Sequence, residues 1–334
     1  MSVPEFRSTA RAPYGRTSRA EMPAAPYRGD TYYERPAIKS SYYGHRIASY
    51  FFLGGLAGAS QVIATIADLV ARERDRSTVR AGRYLALAGA VVGPALLIVD
   101  LHTPRRWYNM FRIARRTSPL SIGTWTLLAF GTLSALTAAA QSLGDATRRP
   151  FFHGVARWIG VPAAVAGGVT SVYTGTLLAS TSVPLWAVGE TVLPALFGAA
   201  AASTATAAMT LARGSRARRS RPLERLARVA TGVELLISVL LEARWRRRGL
   251  ASPITTGPVA LAYRAGGQGL GMLVPLAVHA TNVRTRRAST IAAVATLAGG
   301  YLLRAALVLG GNASARRPRD YFRWTQPQNG IRPR

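Results

Sequence analysis

Eight long apolar runs, separated by short arginine-rich segments, govern what this chain can fold into. A helix that crosses a bilayer needs about 20 mostly apolar residues. The runs are Ile47–Ala71, Ala81–Leu101, Ile122–Gln141, Val155–Ala179, Pro184–Ala212, Val229–Ala243, Val259–Ala280 and Ser289–Gly310. They predict an all-α polytopic membrane protein, an eight-transmembrane-helix bundle. The sixth run is short. The connections are also short, so consecutive helices are expected to be antiparallel neighbours. Pro162, Pro194 and Pro275 are candidate positions for a helix break. Gly267-Gln268-Gly269-Leu270-Gly271 lies inside an apolar run and follows no strand, so helix packing is expected rather than dinucleotide binding.

The net charge of +29 over 334 residues would suggest a nucleic-acid binder in a soluble domain. Here the arginines crowd between apolar runs, as in Arg213–Arg228 and Arg244–Arg248. That is the pattern of membrane topology and of attraction to anionic lipid. The expected partner is therefore the lipid bilayer and not nucleic acid. With no cysteine, the chain has no disulfide, thiolate metal site or thiolate-held cluster. No metal site is expected. Residues 1–44 and 313–334 read as disordered basic tails around a membrane domain over 45–312. The first 46 residues lack the apolar core of a secretory signal.

Alternating spans divide the loops between two faces. The N-terminal side, called the N-face, receives Arg105, Arg106, Arg112, Arg115, Arg116 and Arg244 with Arg246–Arg248. The opposite loops hold more arginines: Arg72, Arg74, Arg76, Arg80, Arg148, Arg149, Arg157, Arg213 and the clusters that follow it up to Arg287. The positive-inside bias puts those loops in the cytoplasm and both termini outside.

Ionisable groups at membrane depth are costly and are functional candidates. Helix parity brings His45, Asp100, His102, Tyr173, Glu190, Glu242 and Arg264 toward the N-face. Groups at helix ends are also often simply wet or snorkelling. Asp68, Gln141, Glu234, His279 and Asn282 lie nearer the other face, with Gln61 and Arg304 closer to mid-span. Gln61, Asp68, Glu234 and Arg304 either mark a proton path or join helices by hydrogen bonds. Neither His45 with His102 nor His153 with His279 places two imidazoles inside spans, so haem is not expected.

The stretch Leu97–Trp125 carries Asp100, a Pro104-Arg105 turn, Asn109-Met110, and then Ser118-Pro119, Ser121, Gly123 and Trp125. It resembles a signature of the NrfD/polysulfide-reductase membrane-subunit (NrfD/PsrC-like) family. Tyr50–Gly55, Tyr173–Leu178 with Pro184-Leu185-Trp186, and Gly299–Arg304 agree in order, and the similarity runs from about Tyr42 to Pro318. The resemblance implies an eight-helix subunit of a bacterial cell-membrane oxidoreductase with no redox cofactor of its own. Menaquinone or ubiquinone would be its exchangeable substrate. A ferredoxin-like iron–sulfur subunit would be its partner, often with a molybdopterin oxidoreductase. By the family pattern, His45 and Tyr173 match the residues at the quinone head. Asp100 and Glu190 are further quinone or proton-transfer candidates, and Arg105, Arg106, Arg112, Arg115 and Arg116 would dock the partner. The alternatives are a transporter or proton channel without electron transfer, and a passive anchor.

Overall fold

The computed structural model describes residues 37–71, 75–112, 114–214, 220–281 and 285–326. Most of the predicted N-terminal tail, Arg72, Arg74, three arginines of the 215–219 segment, Asn282 and Arg284 lie outside these residues. Every regular element among the described residues is helical. In chain order these are α1 (His45–Ala71), α2 (Arg76–Val99), a 3-10 segment (Pro104–Phe111), α3 (Pro119–Thr147), α4 (Pro150–Ala179), α5 (Pro184–Ala187) and α6 (Val192–Ala212). Then come α7 (Arg221–Arg247), α8 (Ser252–Thr255), α9 (Gly257–Ala260), a wide π-type segment (Leu261–Leu273), α10 (Val274–Ala280), α11 (Arg286–Ala315) and α12 (Pro318–Thr325).

The helix starts follow local chemistry. Ser118, Ser220 and Thr285 cap α3, α7 and α11, each accepting a hydrogen bond from a first-turn backbone N–H. Proline opens α3, α4, α5 and α12, where its missing N–H costs nothing. Pro162 lies inside a continuous α4. The predicted fifth span is split instead: α5 ends at Ala187, and α6 begins at Val192 with Pro194 in its first turn.

Six helices are long and apolar enough to cross a membrane: α1, α2, α3, α4, α6 and α11. The sixth and seventh predicted runs do not reach that standard. Helix α7 carries Glu224, Arg225, Arg228, Glu234, Glu242 and Arg244 along its length. The seventh is divided among α9, the wide segment and α10. Both nevertheless run the length of the bundle. Ser220, before α7, bonds Asp75 at the α1–α2 end at 2.5 Å, while Trp245, near its other end, donates to Leu185 O at 2.7 Å. Arg264 pairs with Glu242 at 2.7 Å, and His279 meets Glu224 in a crevice at the opposite end.

The bundle has a centre and a rim. The most apolar stretches of α6 and α11 are 67% buried, against 28% in α3. On α3 and α4, Leu128, Leu136, Trp158 and Val165 face outward, as lipid contact requires. Close helix contact rests on glycine. A Cβ on Gly58 would lie 2.2 Å from Gly167 O on α4, and one on Gly299 would lie 2.1 Å from Gly271 Cα. This is small-residue packing of the kind that holds helices together in lipid. Gly58→Ala is expected to destabilise the bundle by about 1–3 kcal/mol through overpacking, read as a lower unfolding midpoint in detergent.

Of the tail expected over 313–334, residues 327–334 lie outside the described residues, and the part up to 326 departs from that expectation. Helix α11 continues to Ala315, and α12 then folds over the N-face. Arg317 donates to Ser252 Oγ and Arg323 to Gly249 O, both at 2.8 Å. Asp320 is 4% exposed, and burial pushes its carboxyl up to about 6. The folded form thus holds a proton that the undocked form releases between about pH 4 and pH 6. Stability from docking falls as pH rises through that window. Amides of 318–325 are therefore expected to exchange more slowly at pH 5 than at pH 7, after correction for intrinsic rates, and Asp320→Asn should flatten the difference.

Candidate functional site

At the N-face, α1 begins beside the end of α2. His45 is exposed, and its Nδ1 lies 3.4 Å from the Tyr301 hydroxyl of α11. Asp100 is half-buried just after the last turn of α2 and faces Arg46 at 4.0 Å. The segment leading into α1 is tied down: Asn312 Nδ2 donates to Tyr43 O at 2.7 Å, Ser41 Oγ donates to Asn312 Oδ1 at 2.6 Å, and Tyr43 stacks on Trp186. His102 meets Tyr42 edge-on. At this corner of the N-face Arg46 ties the start of α1 to Asp100, while the neighbouring His45 faces α11.

Beside that corner is an apolar groove of about 370 Å³. Ala90, Pro94, Leu97 and Ile98 of α2 form one wall, and Thr124, Leu127, Leu128 and Gly131 of α3 form the other. Trp107, Met110 and Phe111 of the 3-10 segment roof it. The turn of α2 that supplies Leu97 and Ile98 is the turn that ends at Asp100. Leu128 and Trp107, each 43% exposed, put an opening on the outer surface of the bundle.

The same roof carries Arg105, Arg106 and Arg112, with Arg115 and Arg116 following; all five are exposed. None of them pairs with a carboxylate among the described residues. The arginines around the end of α7 differ. Arg246 and Arg264 share Glu242 at 2.7 Å each, and Arg244 donates to Thr191 at 3.0 Å.

Two predicted residues are not among those that line the groove. Tyr173 is buried with its ring against Gly123 of α3, and its hydroxyl donates to Pro119 O at 2.8 Å. It closes the start of α3 onto the end of α4. Glu190 is exposed in a separate polar hollow with Ser180, Thr181, Arg244, Arg248 and Trp324. Parity gave both residues the right depth and said nothing of their position around the bundle.

The four residues expected to form one path belong to two clusters. Asp68 bonds Arg83 at 2.8 Å and Arg157 at 3.1 Å, and Arg83 also donates to Gln141 Oε1 and to Ala156 O. Gln61 donates to Thr65, which donates to Gly160 O. This cluster joins α1, α2, α3 and α4. Arg157 is part of α4 rather than a loop. Glu234, 2% exposed, accepts a short hydrogen bond from Ser203 of α6. Arg304, 1% exposed, lies over the rings of Phe52 and Phe197 at 5.6 and 5.7 Å. The sequence reading missed Arg83, Arg46, Tyr301 and Ser203. Arg83 had a usable signal, an arginine inside the second apolar run.

The family model described as polysulphide reductase, NrfD, matches residues 36–314. The chain belongs to the NrfD family. No curated protein matches it. The match spans the whole bundle from the approach to α1 to the end of α11, and so includes the groove, its roof and both buried clusters. An NrfD-family membrane protein is consistent with a membrane subunit of a reductase. Members of the family generally pair with iron–sulfur and catalytic subunits in a complex.

Proposed function

We propose that this NrfD-family chain is the quinone-interacting membrane subunit of a multi-subunit oxidoreductase. It exchanges electrons between the membrane quinone pool and an iron–sulfur partner. The observation that carries this reading is the groove beneath Pro104–Phe111. Its volume lies in the range of small-molecule sites, and its walls are apolar with few polar groups. It suits a menaquinone or ubiquinone ring with its tail toward lipid. Asp100 and His45 stand at its N-face corner as proton-accepting groups, and Arg46 gives the Asp100 carboxylate a counter-charge. When quinol is oxidised, two electrons pass to the partner and two protons leave the ring hydroxyls; reduction reverses both transfers.

The roof supports the choice of docking surface. One side of this segment lines the groove, while its arginines are exposed with no carboxylate partner among the described residues. An acidic face of an iron–sulfur subunit bound there would lie next to the quinone. The proposal counts α7 and the Gly257–Ala280 run as crossings, which gives eight in a bacterial cell membrane with the N-face outside. The wide turn at 261–273 is packed by Gly271 on Gly299 rather than opened around a substrate, which favours this reading over a transporter.

A groove-filling substitution tests it. Nothing lies within 4 Å of a Cβ built on Gly131, so a side chain there enters the groove without displacing the protein. Gly131→Phe is expected to weaken binding of a quinone analogue at least tenfold, about 1.4 kcal/mol, with unchanged insertion. Unaltered binding to a normally inserted variant would place the quinone elsewhere.

A further inference from the structure

The α6, α7 and α11 surfaces that meet beneath Glu234 carry matching polar stripes. Thr210, Thr206 and Ser203 follow one face of α6, and Glu224, Thr231 and Glu234 follow one face of α7. Ser289 and Thr296 continue toward Gly300 and Arg304 on α11. Spacings of three, four and seven residues put each set on one helix face. Ser203, Thr206, Thr210, Glu224, Thr231, Ser289 and Thr296 line, with His279, a crevice that starts at the face opposite His45 and stops short of Glu234 at Ser203. Its volume of about 30 Å³ admits about two waters. Glu224, His279 and Ser289 at the mouth are partly exposed, whereas Thr231 and Ser203 inside are 2% and 1% exposed. Ser203 both lines the crevice and donates to Glu234.

Beyond Glu234 lies Arg304. Its Nη1 donates to Gly300 O, while Nε and Nη2 have no acceptor among the described residues. A buried guanidinium needs a counter-charge, and Glu234 is the carboxylate placed to provide it. Arg304 lies over Phe52, whose ring meets Tyr301, and the Tyr301 hydroxyl faces His45.

We infer that Glu234 is a proton-exchange carboxyl open, through Ser203 and this crevice, to the face opposite the quinone corner. A hydronium ion in the crevice gives a proton to Ser203 Oγ as Ser203 passes its own hydroxyl proton to the Glu234 carboxylate oxygen it already faces, leaving water and an intact serine; release runs in reverse. Asp68 is not a station on this route, because two arginines already occupy its carboxylate. That the proton serves the quinone corner rests on the quinone function proposed above.

The test uses the protein purified with its native partners. Infrared difference spectra between acid and alkaline pH are expected to show a carboxylic C=O band that shifts in D2O and disappears in Glu234→Gln. Thr206→Val with Thr231→Val, which keeps shape and removes two crevice hydroxyls, should slow the deuterium shift about tenfold. No such band, or a shift rate unchanged in the crevice variant, would overturn the inference. Glu234→Asp, which keeps the acid, should retain a band and guards against misfolding of the amide variant. In sealed vesicles, quinol-linked turnover should change pH on the opposite side in the wild type and not in Glu234→Gln. An identical pH change in the variant would also overturn it. A wild-type complex with no quinol turnover would count against the quinone function alone, and the infrared result would still decide the proton site.

Discussion

Arg83→Met is expected to cost the bundle about 3–5 kcal/mol, the range for removing one partner of a buried ion pair. Most of the chain should then fail to accumulate in the membrane. Arg83 is 1% exposed and holds Asp68 of α1, Gln141 of α3 and the Ala156 carbonyl of α4 from its own position on α2. Its removal strips these acceptors together and leaves Asp68 with Arg157, whose side chain is 34% exposed. Arg157→Met should do much less, since Arg83 remains to neutralise the carboxylate. The double variant Arg83→Met with Asp68→Leu should recover much of the loss, because a pair replaced by apolar groups leaves no buried charge alone. Thermal unfolding in detergent and the yield of folded protein from membranes read all three.

Asp100→Asn and His45→Ala are expected to lower quinol-linked electron exchange by about 10²-fold or more, the scale of a lost proton-transfer group. The amount of inserted protein should not change. The Arg46–Asp100 pair is 4.0 Å long with a 63% exposed arginine, and such a pair contributes at most about 1 kcal/mol. Tyr173→Phe separates packing from chemistry at the same depth. It removes one hydrogen bond to Pro119 O, worth about 1 kcal/mol, and should leave exchange intact. Equal losses from all three variants would show that this corner acts through stability alone.

The all-helical class and most span positions were legible because lipid demands long apolar runs, and capping serines and prolines mark where several begin. The sixth and seventh runs were less legible. Their helices carry charges or widen into a π-type turn, and neither feature follows from hydropathy. For the site, parity speaks only to the depth of each polar residue. It does not fix the direction around the bundle. Tyr173 turned toward α3, Glu190 fell into a separate hollow, and the Asp68 and Glu234 sets separated because helix packing decides which side chains meet. Arg83 was readable as a charge inside a span, whereas its three acceptors come from helices up to 73 residues away in sequence.

The central claim is electron exchange between quinone and an iron–sulfur partner through the groove beneath Pro104–Phe111. The most direct measurement mixes the purified native complex with quinol, or its reduced clusters with quinone, and follows the iron–sulfur absorbance. The account predicts electron exchange in the wild type in at least one direction and its loss in Gly131→Phe. A complex that holds its clusters and this chain, yet exchanges no electrons in either direction, would contradict it and leave the chain a passive anchor.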